Sequence, residues 1–223
     1  MNLSKVADYF EPNKVKEKIH IIGCGSVGST LAENLVRCGL TNIVLWDFDM
    51  VEAHNIVNQQ FDERHIGKKK TEALLEILSD INPEVSKKVK LESEGWNGKN
   101  LSGYIFLCVD NIELRRKIVE QHINNPMVKA VFDFRTLLES AQHYAADWSD
   151  KAMRENLLAT MQFSHEEAVA ETPVSACGIT LGVCTTVKVV VALGVNNFIR
   201  FTKGQGIKKM VLVDLSEFCI DAF

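Results

Sequence analysis

Apolar residues in this chain follow two alternating rhythms. Short unbroken runs at 19–22 (IHII), 43–46 (IVLW), 104–109 (YIFLCV) and 129–134 (KAVFDF) have the look of strands buried on both faces. Between them, apolar positions recur at helical spacing. Val27, Leu31, Leu35 and Val36 form one stripe that closes at Gly39, and Ala73, Leu74, Ile77, Leu78 and Ile81 form another that Pro83 stops. A further helix is expected over 112–123, after the run at 104–109. This repetition of strand, helix and strand predicts an α/β fold: a Rossmann-like, mostly parallel sheet with helices on both faces.

The remaining stretches fill in around that frame. Residues 1–17 are polar and mixed, with one short helix expected before Pro12, and 51–67 reads as a loop with one short helix. Alternation over 85–91 predicts a strand, and 137–146 an extended segment returning along the sheet. Residues 148–170 are polar and helical, the kind of excursion that can cover a site. A long apolar helix is expected over 178–199, then two short antiparallel strands at 208–214 and 217–220. No repeat or low-complexity segment interrupts the pattern, which suits a single nucleotide-binding domain over 1–223.

Composition narrows the class of partner. A net charge of -4 argues against a nucleic-acid backbone, although Lys68, Lys69 and Lys70 make a local basic patch. The first residues lack an apolar core of signal-peptide length. The apolar stretch 178–199 contains Lys188, Asn196 and Asn197, so it reads as a buried helix and not a membrane span. Six cysteines are scattered without a C-x-x-C pair, which points to a reducing cytoplasm and to no structural zinc.

Candidate chemistry gathers after the first strand. Gly23-x-Gly25-x-x-Gly28 links that strand to the first helix, where backbone N–H groups can approach a phosphate. The second strand ends in Asp47, placed to meet a ribose hydroxyl. The glycine motif alone also permits an NAD-dependent oxidoreductase, but no convincing substrate half follows it. Three lysines at the start of the helix over 68–81 oppose the helix dipole, which suggests an anion nearby. Asp110 ends a buried strand at the carboxyl edge of the sheet, where ligands of open α/β folds bind, with Asn111 available as the helix cap.

The residues after Asp47 separate the possible nucleotides. Asp47-Phe48-Asp49-x-Val51-Glu52-x-x-Asn55-Ile56, followed by Asn58-Gln59-Gln60-Phe61, resembles the D-x-D-x-V-x-x-x-N-L-x-R-Q block of the ThiF/MoeB/HesA family of adenylyltransferases related to ubiquitin-activating enzymes. Gly67-x-x-Lys70, Ile81-Asn82-Pro83, and Val109-Asp110-Asn111 with Arg115 continue the likeness in the family's order.

The resemblance implies an enzyme that binds ATP and Mg²⁺ and activates the carboxyl terminus of a small ubiquitin-like or sulfur-carrier protein as an acyl-adenylate. It places the nucleotide on Gly23, Gly25, Gly28, Asp47, Asp49, Asn55, Gln59 and Lys70, and the magnesium ion on Asp110. Asn58 falls where the family carries an arginine that contacts phosphate, with Arg64 and Lys68 as candidate replacements for the missing charge. No arginine precedes Arg37 to match the family's early arginine, which leaves Lys14 and Lys16 as substitutes or as solvated surface lysines. Cys177, ahead of the apolar helix, is a candidate for a later thioester or persulfide step, or else a packed small residue. The resemblance also implies a homodimer. An ATP-binding scaffold of the same fold, without catalysis, is the rival reading.

Overall fold

A computed structural model describes residues 1–171, 174 and 181–223 of the chain. Along the sequence, β1 (Ile19–Ile22), α1 (Ser26–Arg37), β2 (Ile43–Trp46), α2 (Lys70–Ile81), a single turn α3 (Val85–Lys88), β3 (Lys90–Glu92), β4 (Gly103–Leu107), α4 (Ile112–His122) and β5 (Val128–Thr136) make the parallel part. Then come β6 (Ser140–Asp147), α5 (Lys151–Ala159), α6 (His165–Glu171), α7 (Cys184–Thr202), β7 (Met210–Asp214) and β8 (Cys219–Ala222).

Eight strands form one sheet in the order β3-β2-β1-β4-β5-β6-β7-β8. The first five in that order are mutually parallel, and β6, β7 and β8 add antiparallel strands at the far end. Every residue of β1, β2 and β4 is buried, as expected for unbroken apolar runs covered on both sides. One core lies between the sheet and α1, α2 and α7, with Leu31, Leu35, Leu74, Val190 and Phe198 inside it. The second lies on the opposite face under α4 and α5, around Ile118, Val119, Met153 and Leu157.

Packing explains where the helices go. α7 buries Val187, Val190, Val191, Val195 and Phe198, so its length and hydropathy serve a core. Gly194 lets it seat on β5, since a Cβ there would lie 2.3 Å from the Phe134 ring. Tyr104, Phe106 and Phe132 pack around Phe198, with ring centroids 5.0–5.7 Å away.

Some expectations need correction. The stretch 85–91 is not one strand: Pro83 and Asn82 start the single turn α3, and only Lys90–Glu92 pairs with β2. Alternation there reflects Val85 and Val89 reaching the core from a turn of helix. Before Pro12 the chain makes hydrogen-bonded turns, and the short helix is a 3-10 turn at Pro12–Lys14. Two 3-10 turns, Ala53–Asn55 and Glu63–His65, replace the one helix expected in 51–67. The long apolar helix begins at Cys184; Gly178, where it was expected to start, lies outside the described residues.

Candidate nucleotide site

From β1 the chain moves one way to β2 and β3, then returns to place β4 on β1's other side. That reversal opens a crevice at the carboxyl ends of the strands, the usual ligand position in open α/β sheets. Here it is a cleft of about 1830 Å³ that extends across β5 to β8. Gly23, Gly25, Asp47, Asp49, Asn55, Asn58, Gln59, Lys70 and Asp110 all line it. Thus residues spread over 23–110 of the chain share one wall system, as their order in the sequence implied.

The glycine turn is built by backbone contact. Gly23 has φ +96°, and a Cβ on it would lie 2.9 Å from the Cys108 carbonyl group. A Cβ on Gly28 would fall 1.8 Å from the Gly23 carbonyl oxygen, so this position sets how close α1 comes to β1. Around Gly25 there is open space. No side chain caps the start of α1, so its first N–H groups and positive dipole end face the cleft.

Asp47 stands beside that turn, nearly buried. Its Oδ2 accepts the Cys24 N–H at 2.6 Å and its Oδ1 the Asp49 N–H at 2.8 Å. Burial pushes its pKa up, and those two N–H groups and the Lys70 charge pull the other way. A carboxylate has about four acceptor positions. Two are filled by the fold, and the others remain for hydroxyl donors.

Lys70 is 8% exposed, and its Nζ meets Asp49 Oδ2 at 2.8 Å. The lysine cluster needs no external anion to be tolerated, which corrects that part of the sequence argument. Lys68 pairs with Glu76 at 2.6 Å and Lys69 with Glu94 at 2.8 Å. Only Lys70 lines the cleft, and its ammonium is held there by Asp49.

Asn55 is buried, and its Oδ1 caps the 3-10 turn by accepting the Glu52 N–H at 2.9 Å. Gln59 lines the same cleft, and its buried Oε1 has no hydrogen-bond partner among the described residues. Such an orphaned acceptor is costly unless a donor arrives. Asn58 Nδ2 donates to the Gly182 carbonyl at 3.2 Å, joining the loop after β2 to the segment that leads into α7. Arg64, paired with Asp62 at 2.7 Å, and Lys68 do not line the cleft, so neither replaces a cation there.

Asn111 Oδ1 accepts the Leu114 N–H at 2.8 Å and caps α4, which leaves the neighbouring Asp110 carboxylate exposed in the cleft. No group of three metal-binding side chains occurs among the described residues. A magnesium ion on Asp110 would therefore take its other ligands from phosphate oxygens and water, the usual arrangement for this hard cation. The site fits such an ion. Cys177 lies outside the described residues. Cys24 is buried and Cys108 half-buried, and desolvation raises both thiol pKa values, the opposite of a reactive thiolate.

Sequence reasoning passed over one group. Asp133, fully buried on β5, lies between two guanidinium groups. Arg115 from α4 bonds Asp133 Oδ1, the Phe134 carbonyl at 2.6 Å and the Val109 carbonyl, which fixes the turn that carries Asp110. Arg115 thus serves as an ion-pair partner within the fold. Arg135 bonds Asp133 Oδ2 at 2.8 Å and lies in the cleft wall. The alternating DFRT pattern at 133–136 was the available signal.

A glycine turn feeding an uncapped helix, with an acid at the end of the next strand, is the arrangement of α/β nucleotide-binding folds. A family profile narrows this further: the chain belongs to the ThiF family, matched over residues 13–214. It is similar to ubiquitin-like modifier-activating enzyme 5 of Oryza sativa subsp. japonica, 34% identical over 144 residues that are 55% of this chain and 31% of that protein. The enzyme of the same name from Dictyostelium discoideum is 34% identical over 118 residues, 44% of this chain and 30% of that one. The matched stretch thus spans less than a third of these two relatives. Among solved structures, E. coli MccB with ATP superposes with a TM-score of 0.72 at 18% identity, covering 95% of this chain and 65% of that one. PaaA does so with a TM-score of 0.69 at 15% identity, covering 95% and 65%. The last two likenesses are of fold, and they bear out the Rossmann-like reading.

Proposed function

We propose that this chain is an ATP-dependent adenylyltransferase that activates the carboxyl-terminal carboxylate of a small ubiquitin-like or sulfur-carrier protein. The observation that carries the reading is the meeting of Asp47, Lys70 and Asp110 around the glycine turn in one cleft. Family membership supports it, as do relatives named ubiquitin-like modifier-activating enzymes and a fold neighbour solved with ATP.

In this reading the ribose hydroxyls meet Asp47, and phosphate oxygens lie against the turn N–H groups and the start of α1. Lys70, held by Asp49, faces the charge that accumulates as pyrophosphate leaves. Asp110 would hold a magnesium ion, which would supply further neutralisation of the phosphates. The incoming carboxylate is ionised near neutral pH, so its attack on the α-phosphorus needs no general base. A cytoplasmic location and a homodimer belong to the same proposal.

Asn58 favours a second reading. If it stands where the family has a phosphate-binding arginine, its uncharged amide is engaged by Gly182 and brings no cation. Loss of one preorganised donor at such a transition state costs about 3 kcal/mol, enough to leave a slow enzyme or a nucleotide-binding scaffold. Carrier-dependent exchange of pyrophosphate into ATP separates these. Exchange is expected with the right carrier, and faster exchange with Asn58→Arg. ATP binding without exchange for any candidate carrier, and without rescue by Asn58→Arg, refutes the enzyme reading.

A further inference from the structure

The cleft is larger than a nucleotide over β2, β1 and β4 requires, and its other half lies over β5 to β8. At the boundary stands Arg135. Leu107 on β4 pairs with Asp133 on β5, so Arg135 sits one strand over from the turn that holds Asp110.

Arg135 is held rigidly. Its Nε donates to Asp133 Oδ2 at 2.8 Å, Nη1 to the Thr160 carbonyl at 2.9 Å, and Nη2 to Thr160 Oγ1 at 2.9 Å. The Tyr144 ring lies 4.6 Å and the Phe163 ring 5.7 Å from its guanidinium carbon. Guanidinium has five N–H donors. The second N–H of each terminal nitrogen has no partner among the described residues. Charge is also in surplus, because Asp133 is one carboxylate shared by Arg115 and Arg135, and the buried Arg115 spends its donors on Asp133 and on backbone carbonyls. The end of α5 at Thr160 offsets only part of the excess, about half a charge.

Gln142 is paired directly across from Arg135 and shares its face of the sheet. Tyr144 donates to Gln142 Oε1 at 2.9 Å, which turns the amide nitrogen donors away from that contact. Beyond them the same cleft is lined by Asp214, Glu217 and Asp221. The field therefore runs from positive at β5 to negative at β8, so within this half of the cleft an anion is favoured at Arg135.

We infer that Arg135, with Gln142 beside it, is the docking point for the carboxylate to be activated, holding it next to the nucleotide's α-phosphate. This rests on the adenylation reading and adds to it the residue that receives the acyl substrate. A fixed cation there would offset the repulsion between two anions that must meet.

Calorimetric titration of the full chain with Mg·ATP, and with an acetylglycyl sulfamoyl adenosine whose ionised acylsulfamate puts an anionic carbonyl beside the adenosine, tests it. Arg135→Met should lower the affinity for the acylsulfamate about tenfold relative to ATP. Exposed Gln142→Leu should lower the same ratio by about threefold, and it decides the matter if Arg135→Met fails to fold. An unchanged ratio overturns the proposal, whether both ligands weaken together, as they would if Arg135 served the phosphates, or neither does. A native chain that binds neither ligand refutes the nucleotide reading itself, and this inference with it.

Discussion

Gly25 and Gly28 belong to one turn, yet replacing each with alanine should have different consequences. At Gly28 the new Cβ would meet the Gly23 oxygen at 1.8 Å, the Gly23 carbonyl carbon at 2.9 Å and an Ile21 methyl at 3.3 Å. Two of these are backbone atoms, so α1 must move off β1 by about 1 Å or more, because interiors are close-packed. Overpacking of this kind costs about 3 kcal/mol, and the better helix propensity of alanine returns only about 1 kcal/mol. For a chain of this size the net loss lowers the melting temperature by about 4–8 °C. At Gly25 a Cβ meets nothing within 4 Å, and the cost of alanine is confined to the backbone, whose φ of -74° is ordinary but whose ψ of -148° lies off the usual regions. Stability should fall by about 1 kcal/mol, less than at Gly28, because no atom must move to make room. The methyl group nevertheless points into the space a phosphate would fill, and ATP affinity should fall about tenfold or more. Thermal melts with and without Mg·ATP read both effects. A Gly28→Ala protein that melts with the native one, or a Gly25→Ala protein that binds ATP with native affinity, would refute the geometric argument.

Two further outcomes follow from buried and exposed titratable groups. His20 and His143 have pKa values lowered to about 4, mainly by burial, so each stays neutral in the fold and takes up a proton near 6.5 when unfolded. The unfolded state then binds more protons between pH 6.5 and 4, and stability falls as pH drops through that window, by about 3 kcal/mol per histidine. Denaturant unfolding at pH 7 and pH 4.5 should show the loss, His143→Gln should reduce it, and equal stability of the variant and the native chain's pH profiles would disprove the assignment. Asp110→Asn should leave the fold intact, because the side chain is exposed and Asn111 caps α4. It should weaken ATP binding in magnesium about tenfold while leaving binding in EDTA unchanged, and equal losses in both would take the ion off this residue.

Legibility in the sequence depended on how local each feature is. The glycine turn, Asp47 and the apolar runs of β1, β2 and β4 announce themselves because each follows from a few adjacent residues. Asp110 and its cap were readable for the same reason: Asn111 meets Leu114 within one turn. The split of 85–91 was not, since Val85 and Val89, four apart, share a face in a turn of helix and equally in a strand. Long-range contacts left no trace. Nothing near Asn58 announces Gly182, and the lysine cluster looked unpaired because Glu94 and Glu76 reach it from elsewhere. Likewise, Arg115 and Arg135 share Asp133 only because α4 and β5 lie against each other.

Pairings within the sheet differ in how far apart their partners lie along the chain, and this bears on the order of assembly. β5 turns straight back into β6, and β7 into β8, so those pairings close short loops. β1 must instead wait for β4, joining Ile19 to Tyr104 across everything between them. Loop-closure entropy makes such remote parallel pairings late events. On a ribosome β1 and β4 emerge before either hairpin, yet their remote pairing would still close more slowly than the hairpins that follow. A small molecule seated across that seam would then act as a clasp on the slowest step, favouring completed chains over half-made ones.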